Sequence, residues 1–333
     1  MPSLSRSELI RKLQDKTHEC LKEFIRPDEP LAILDFPDIK NCGDSAIWLG
    51  EMAYLKHRFG KRPDYVSTIA DFSADELKQS APTGPIFIQG GGTFGDIWGE
   101  HQDFRERVLE LFPDRQIIQF PQSIHYKSEQ RLLESARAIG RHKNFVLLVR
   151  DEQSFQFAEK NFDCQIGLCP DMAFCVGEVT PDAPQFPVLA MLRQDKEQVG
   201  VVDFSAHPDI PKEDWISESR RRVRIAKALG VASALLHFKP SEYELRKLDS
   251  AARNRFNRGI RQISRGRAIV TDRLHVHICS ILIGRPHAVL DNNYGKVRGF
   301  MDAFSGESDL SYKATSFDDG VAWAKAQAAN TKT

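Results

Sequence analysis

The stretch LAILDFPDIKNCGDSAIWLGEMAYLKHRFG, residues 31–60, decides the fold. LAILDF is an apolar run of strand length, and PDIKNCGDS is a polar loop containing one glycine. Trp48, Met52, Leu55 and Phe59 then step by four, three and four, which places them on one face of a helix. Strand, glycine-containing loop and helix in that order open a βαβ unit.

The pattern recurs along the chain. PIFIQ (85–89) leads into GGGTFGDIW, RQIIQF (115–120) into PQSIHY, and FVLLVR (145–150) into DEQSFQFAEKNF, where Phe155, Ala158 and Phe162 have helical spacing. Such alternation predicts an α/β protein with a parallel sheet covered by helices on both faces. Ligands of such sheets bind beyond the carboxyl ends of the strands, where each of these polar clusters falls. TPDAPQFP (180–187) holds three prolines and reads as a linker. Beyond it lie the strand VLAMLRQDKE, a mostly helical stretch, then AIVTD (268–272), RLHVHICSILIG, PHAVLD (286–291) and NNYGKVRGFMDAF. The expected architecture is two Rossmann-like domains facing a cleft, at 31–180 and 187–333. Residues 1–30 stand apart as an N-terminal helix. Leu9, Ile10, Leu13, Cys20, Leu21, Phe24 and Ile25 recur there at helical spacing, so an exposed amphipathic helix is expected.

Composition narrows the function. The 46 basic and 46 acidic residues cancel, and 41% of residues are hydrophobic, an ordinary soluble balance that argues against general nucleic-acid binding. The six cysteines form no CxxC pair. Cys164, Cys169 and Cys175 have the wrong spacing for zinc and no histidine nearby, so no metal site is expected. Nothing in the first 30 residues resembles a signal peptide, and the longest apolar runs fall short of the ~20 residues of a membrane span. A cytoplasmic protein with reduced, mostly buried thiols is expected.

Four clusters carry chemistry. In NCGDS, Gly43 relaxes the loop and Asp44 lies at or next to a helix N-cap, which capping alone would explain. In GGGTFGD, consecutive glycines either line a ligand with backbone N–H groups or allow tight strand-to-helix packing. No Lys-Ser/Thr follows, so it is not a P-loop. Arg150 ends an apolar strand and needs a carboxylate partner, for which Asp151 is the candidate, or a bound anion. In TDRLHVH (271–277), Arg273 falls where a strand becomes a helix. A helix start attracts anions, so a cation there points to an anion bridging the two. His275 adds a donor, and Lys296 in NNYGK falls on the same rim. Together Arg150, Arg273, His275 and Lys296 describe a site for a small, highly charged anion.

In combination, NCGD (41–44), QGGGTFGD (89–96), FPQSIHY (120–126), RDEQS (150–154), CPDMAF (169–174), LRQDKE (192–197), TDRLHVH (271–277) and DNNYGKVRGF (291–300) resemble the polysaccharide pyruvyl transferase family, closest to its bacterial exopolysaccharide branch. The resemblance implies a fold similar to the GT-B glycosyltransferase architecture, with an acceptor side at 31–180 and a donor side at 187–333. It implies phosphoenolpyruvate as co-substrate and a sugar or lipid-linked oligosaccharide as acceptor. The product would be a cyclic ketal, formed with release of phosphate. Arg150, Arg273, Leu274, His275 and Lys296 would hold the donor, with Lys296 in a loop that varies among members. Asn41, Gly43, Gly91, Gly92, Ser123 and His125 would form the acceptor side, with His125 tied to acceptor choice. His275, Arg273, Arg150 and Asp44 would be the catalytic set, and the chemistry requires no metal or other cofactor. A nucleotide-sugar-dependent GT-B glycosyltransferase is the alternative, and a non-catalytic anion- or glycan-binding regulator is a further one. The arginine-rich segments around 220–224 and 253–265 read either as solvated helix faces or as a peripheral contact with the inner face of an anionic membrane.

Overall fold

The computed structural model describes residues 3–193, 204–236, 242–291 and 296–330, the side chain of Lys296 excepted. Two separate parallel sheets organise the chain. In chain order the first half comprises α1 (Arg6–Leu21), β1 (Ala32–Leu34), α2 (Cys42–Phe59), β2 (Tyr65–Val66), α3 (Ala74–Ser80), β3 (Ile86–Ile88), β4 (Gly91–Gly95), α4 (Gly99–Leu111), β5 (Ile117–His125), α5 (Glu129–Arg141), β6 (Phe145–Val149), α6 (Glu152–Asn161) and β7 (Gln165–Leu168). The second half comprises β8 (Phe186–Met191), β9 (Lys212–Glu213), α7 (Arg220–Leu236), α8 (Tyr243–Ser264), β10 (Gly266–Thr271), α9 (Leu274–Ile283), β11 (His287–Val289), α10 (Lys296–Phe300), β12 (Ser311–Lys313) and α11 (Phe317–Asn330). The sheet orders are β2-β1-β3-β5-β6-β7, with β4 beside β5, and β12-β11-β10-β8-β9.

Strand registry explains the apolar runs. Ile33, Phe87, Ile118 and Val146 stand side by side in register, one residue off Ala32, Ile86, Ile117 and Phe145. Because strand side chains alternate, the first row enters one core and the second row another. Both faces are dry, so these strands read as unbroken apolar runs rather than as an alternation. The second sheet repeats the arrangement: Leu189, Met191, Ile269 and Val289 face one core, and Val188, Ala190, Ala268 and Val270 face another. The first core of each sheet is the same cluster, so one continuous apolar core joins the two halves.

Three local expectations need correction. Helix α1 is no exposed appendage: Leu9, Leu13 and Leu21 are buried in the shared core. Arg6 also donates to the carbonyls of Val179 and Leu282, tying α1 to the second half. The glycine run forms strand β4, parallel to the distal part of β5, rather than a loop. PQSIH likewise continues β5 instead of leaving it. Pro121 has no N–H to donate, and the ladder to β6 slips between Gln119 and Gln122.

The arginine-rich helix α8 is in part a structural seam. Arg255 is buried and pairs with Glu218 at 2.6 Å and Asp38 at 2.9 Å. Arg258 donates to the Lys40 carbonyl at 2.6 Å. The Trp48 indole on α2 donates to Asp249 on α8 at 2.7 Å. These contacts fix the start of α2 against the second half. Among the described residues no helix is long and apolar enough to cross a membrane. All six cysteines are free thiols, four of them buried.

Candidate active site

The carboxyl ends of β1, β6, β8 and β10 meet around a cavity of about 660 Å³. Asn41, Asp44, Gly92, His101 and Arg150 line it from the first half, and Arg193, Trp215, Arg273, Leu274 and His275 from the second.

Its charged wall is built at the start of α9. Arg273 is the N-cap residue in extended conformation, and its N–H donates to the Thr271 hydroxyl at 3.0 Å. Its Nη2 donates to Asp214 at 2.6 Å, the two side chains being 6% and 2% exposed. That carboxylate stands just past β9, 59 residues away in sequence. A carboxylate already balances the cation whose position pointed to an anion bridging it to the helix. Asp272 instead accepts from the backbone N–H of Arg193 at 2.9 Å, which brings a third arginine to the wall.

Arg150 also has a partner other than the adjacent Asp151. Its Nη1 donates to Asp171 at 2.5 Å, and its Nε donates to the Ser123 hydroxyl at 3.1 Å. Asp151 caps α6 through the Ser154 N–H and accepts the Ser123 hydroxyl at 2.7 Å. Asp171 stands 3.4 Å from His275 Nε2. Burial opposes its ionisation, but Arg150 first, then His275 and the Ala173 N–H, hold its carboxyl well below the usual range. Arg150, Asp171 and His275 thus form one buried polar cluster that joins the halves.

His275 in turn explains Gly43. A Cβ on Gly43 would lie 2.4 Å from His275 Nδ1, so only glycine lets α2 approach this ring. Asn41 caps α2 by accepting from the Gly43 N–H at 3.0 Å, which places Asp44 in the first turn rather than at the cap. Burial pushes the Asp44 carboxyl up, opposed by His275 and Arg150. Gly91 has φ +136°, a backbone conformation that requires glycine, and it delivers Gly92 to the cavity.

The structure divides the expected acceptor set. Asn41 and Gly92 line the cavity, while Gly43 and Gly91 shape it from behind. Ser123 is buried behind the wall as a brace for Arg150. His125 ends β5 and is not among the residues that line the cavity. The side chain of Lys296, with residues 292–295, lies outside the described residues.

Sequence reasoning missed Asp171, Asp214 and Arg193 as site residues, although CPDMAF and LRQDKE contain two of them. It also missed a second acid–base pair. His101, in the first turn of α4, places Nδ1 2.7 Å from Asp35 at the end of β1. Burial alone would lower the pKa of His101, but the Asp35 carboxylate outweighs it and raises it. Asp35 is buried and adopts φ +69°, rare for a non-glycine residue and costly unless something fixes it. No pattern in LDFPD announces that pairing.

Among the described residues no group of three or more His, Cys, Asp or Glu is arranged to hold a metal ion.

Comparisons with known proteins identify the family. A family model described as polysaccharide pyruvyl transferase matches residues 41–294. The chain is 32% identical over 302 residues to Pyruvyl transferase 1 of Schizosaccharomyces pombe, covering 84% of this chain and 70% of that one. It is 29% identical over 297 residues to the putative pyruvyl transferase EpsO of Bacillus subtilis, covering 83% and 85%. The crystal structure of an uncharacterised protein from Klebsiella pneumoniae superposes with a TM-score of 0.57 at 17% identity, covering 91% of this chain and 99% of that one, a likeness of fold. The chain therefore belongs to the polysaccharide pyruvyl transferase family.

Proposed function

We propose that the protein transfers the pyruvyl group of phosphoenolpyruvate onto two hydroxyls of a sugar in exopolysaccharide or cell-surface glycan biosynthesis. The product is a cyclic ketal, and phosphate is released. One observation carries this reading: Arg150, Arg273 and His275, distant in sequence, share the wall of one cavity with Asp44. Phosphoenolpyruvate is a compact carboxylate plus phosphate, and guanidinium groups match both in a way that lysine does not.

The reaction places a proton on the donor's methylene carbon. A sugar hydroxyl attacks the resulting cationic carbon, and a second hydroxyl displaces phosphate. Of the two hydroxyl protons, one balances the new methyl group and the other leaves with phosphate. In this reading His275 binds phosphate and supplies the first proton. Asp44, whose carboxyl burial pushes up, takes the acceptor hydroxyl's proton. His101, held by buried Asp35, lines the same cavity as a second acid–base group. Residues 31–180 serve as acceptor side and 187–333 as donor side, in the manner of GT-B transferases, with Arg150 reaching the donor from the first half. A cytoplasmic location at the inner face of a membrane, and a sugar or lipid-linked acceptor, complete the reading.

The test is incubation with phosphoenolpyruvate and a panel of free and lipid-linked sugars, followed by phosphate assay and mass spectrometry. Inorganic phosphate and a ketal-bearing sugar are expected. Release of a nucleoside diphosphate from a nucleotide sugar, with phosphoenolpyruvate untouched, would make the protein a glycosyltransferase instead.

A further inference from the structure

Among the described residues, helix α7 carries an exposed apolar stripe. Ile225 is 49% exposed, Leu229 64%, Leu235 58% and Leu236 77%. Ile225, Leu229, Ala232 and Leu236 follow helical spacing along one line, with Leu235 beside it. The opposite face is closed: Val223, Gly230 and Ala234 are buried, and a Cβ on Gly230 would lie 2.3 Å from the Arg246 carbonyl on α8. Packing is therefore already satisfied on the inner side, and the outer stripe stays exposed.

The charge on α7 is one-sided in kind. Arg220, Arg221, Arg222 and Arg224 crowd its first turns, all exposed, and the helix contains no Asp or Glu. Among the described residues none of these four arginines has a carboxylate partner. The cationic end also adjoins the active cavity, whose lining continues through Trp215, Ile216 and Glu218 to Arg220.

We propose that α7 is the element by which the protein lies on an anionic phospholipid bilayer, with the mouth of its cavity at the membrane surface. A helix with an apolar stripe and basic residues lies in the interface plane, its apolar face among acyl chains and its cations among headgroups. A second copy of the chain fits less well. Two such helices face to face would bring together eight arginines, four from each, and neither helix carries a carboxylate to meet them. The inference stands apart from the donor assignment, since it concerns binding and not turnover.

The test uses the full chain in a vesicle co-sedimentation assay. Vesicles of phosphatidylcholine with phosphatidylglycerol should carry the protein down, and vesicles of pure phosphatidylcholine should not. Leu229→Ser combined with Leu236→Ser should reduce partitioning at least tenfold. Both positions are exposed, so the thermal melt should be unchanged. Arg221→Gln combined with Arg222→Gln should weaken partitioning and flatten its dependence on salt. Failure of the wild-type protein to bind anionic vesicles would overturn the proposal. So would equal binding to neutral ones, or undiminished binding by the leucine variant. A dimer in sedimentation equilibrium that the leucine variant converts to monomer would overturn it as well, by assigning the face to a second copy.

Discussion

Replacing Asp171 with asparagine removes the charge that holds Arg150 while keeping nearly the same shape. The two side chains are 1% and 5% exposed, so solvent cannot take over the lost interaction. The asparagine would retain an oxygen for the Ala173 N–H, but its amide would turn a donor toward the donating Nη1 of Arg150. Removing one partner of a buried ion pair costs about 3–5 kcal/mol. At about 2.1 cal/mol/K per residue of unfolding entropy, a chain of 333 residues should then melt about 4–7 °C lower. Arg150→Met should cost a similar amount and shift the pH response. In the wild type the Asp171 carboxyl is held below 3.8, so its stabilisation is present above that pH and is lost only as strong acid protonates it. Without Arg150, burial is opposed only by His275 and the Ala173 N–H, so the carboxyl should rise and the loss of stability in acid should begin at higher pH than in wild type. The double variant, with neither charge, should lose little more than either single variant, giving a coupling of about 3 kcal/mol. Urea titrations of the four proteins at two pH values measure all of these. Strictly additive losses, with coupling under ~0.5 kcal/mol, would refute the claim that this pair clamps the site.

Arg273→Ala should lower donor-free stability by about 3 kcal/mol through loss of the Asp214 pair. Arg273→Lys should cut kcat/KM for phosphate release about ten- to 150-fold, by losing one charge-assisted hydrogen bond of the guanidinium fork. An unchanged melt for the alanine variant would show that Asp214 is not its balancing charge. Gly43→Ala places a methyl group 2.4 Å from His275 Nδ1. The ring must shift by about 1 Å, which should lower turnover about 100-fold while the protein still folds, and wild-type rates would contradict that packing. His101→Ala should change the ranking of acceptor sugars with donor affinity intact, whereas His125→Ala should leave the ranking alone. The reverse pattern would return acceptor choice to His125. Buried His277 and His287 share a hydrogen bond of 2.7 Å, and burial pushes both below 6.5, His287 to about 4. The unfolded chain takes up these protons first as pH falls, so His287 alone should remove about 3 kcal/mol between pH 6.5 and 4. The slope of urea stability with pH should flatten in His287→Gln, and an unchanged slope would discard the assignment.

The sequence by itself determined four central strands of the first sheet and two of the helices packed on it. LAILDF, PIFIQ, RQIIQF and FVLLVR are strands because a strand buried on both faces must be apolar throughout, and periodicity identifies α2 and α6. The same reasoning placed Asp44, Arg150, Arg273 and His275 at strand ends, where parallel sheets gather their ligands, and those four do line one cavity. Partners were beyond its reach. Arg150 found Asp171 rather than its neighbour Asp151, Arg273 found Asp214, and His101 found Asp35. Local pattern records which face of an element is buried. It does not record which two distant loops the shared core will bring together, and the chemistry of a buried charge depends on the group it meets there.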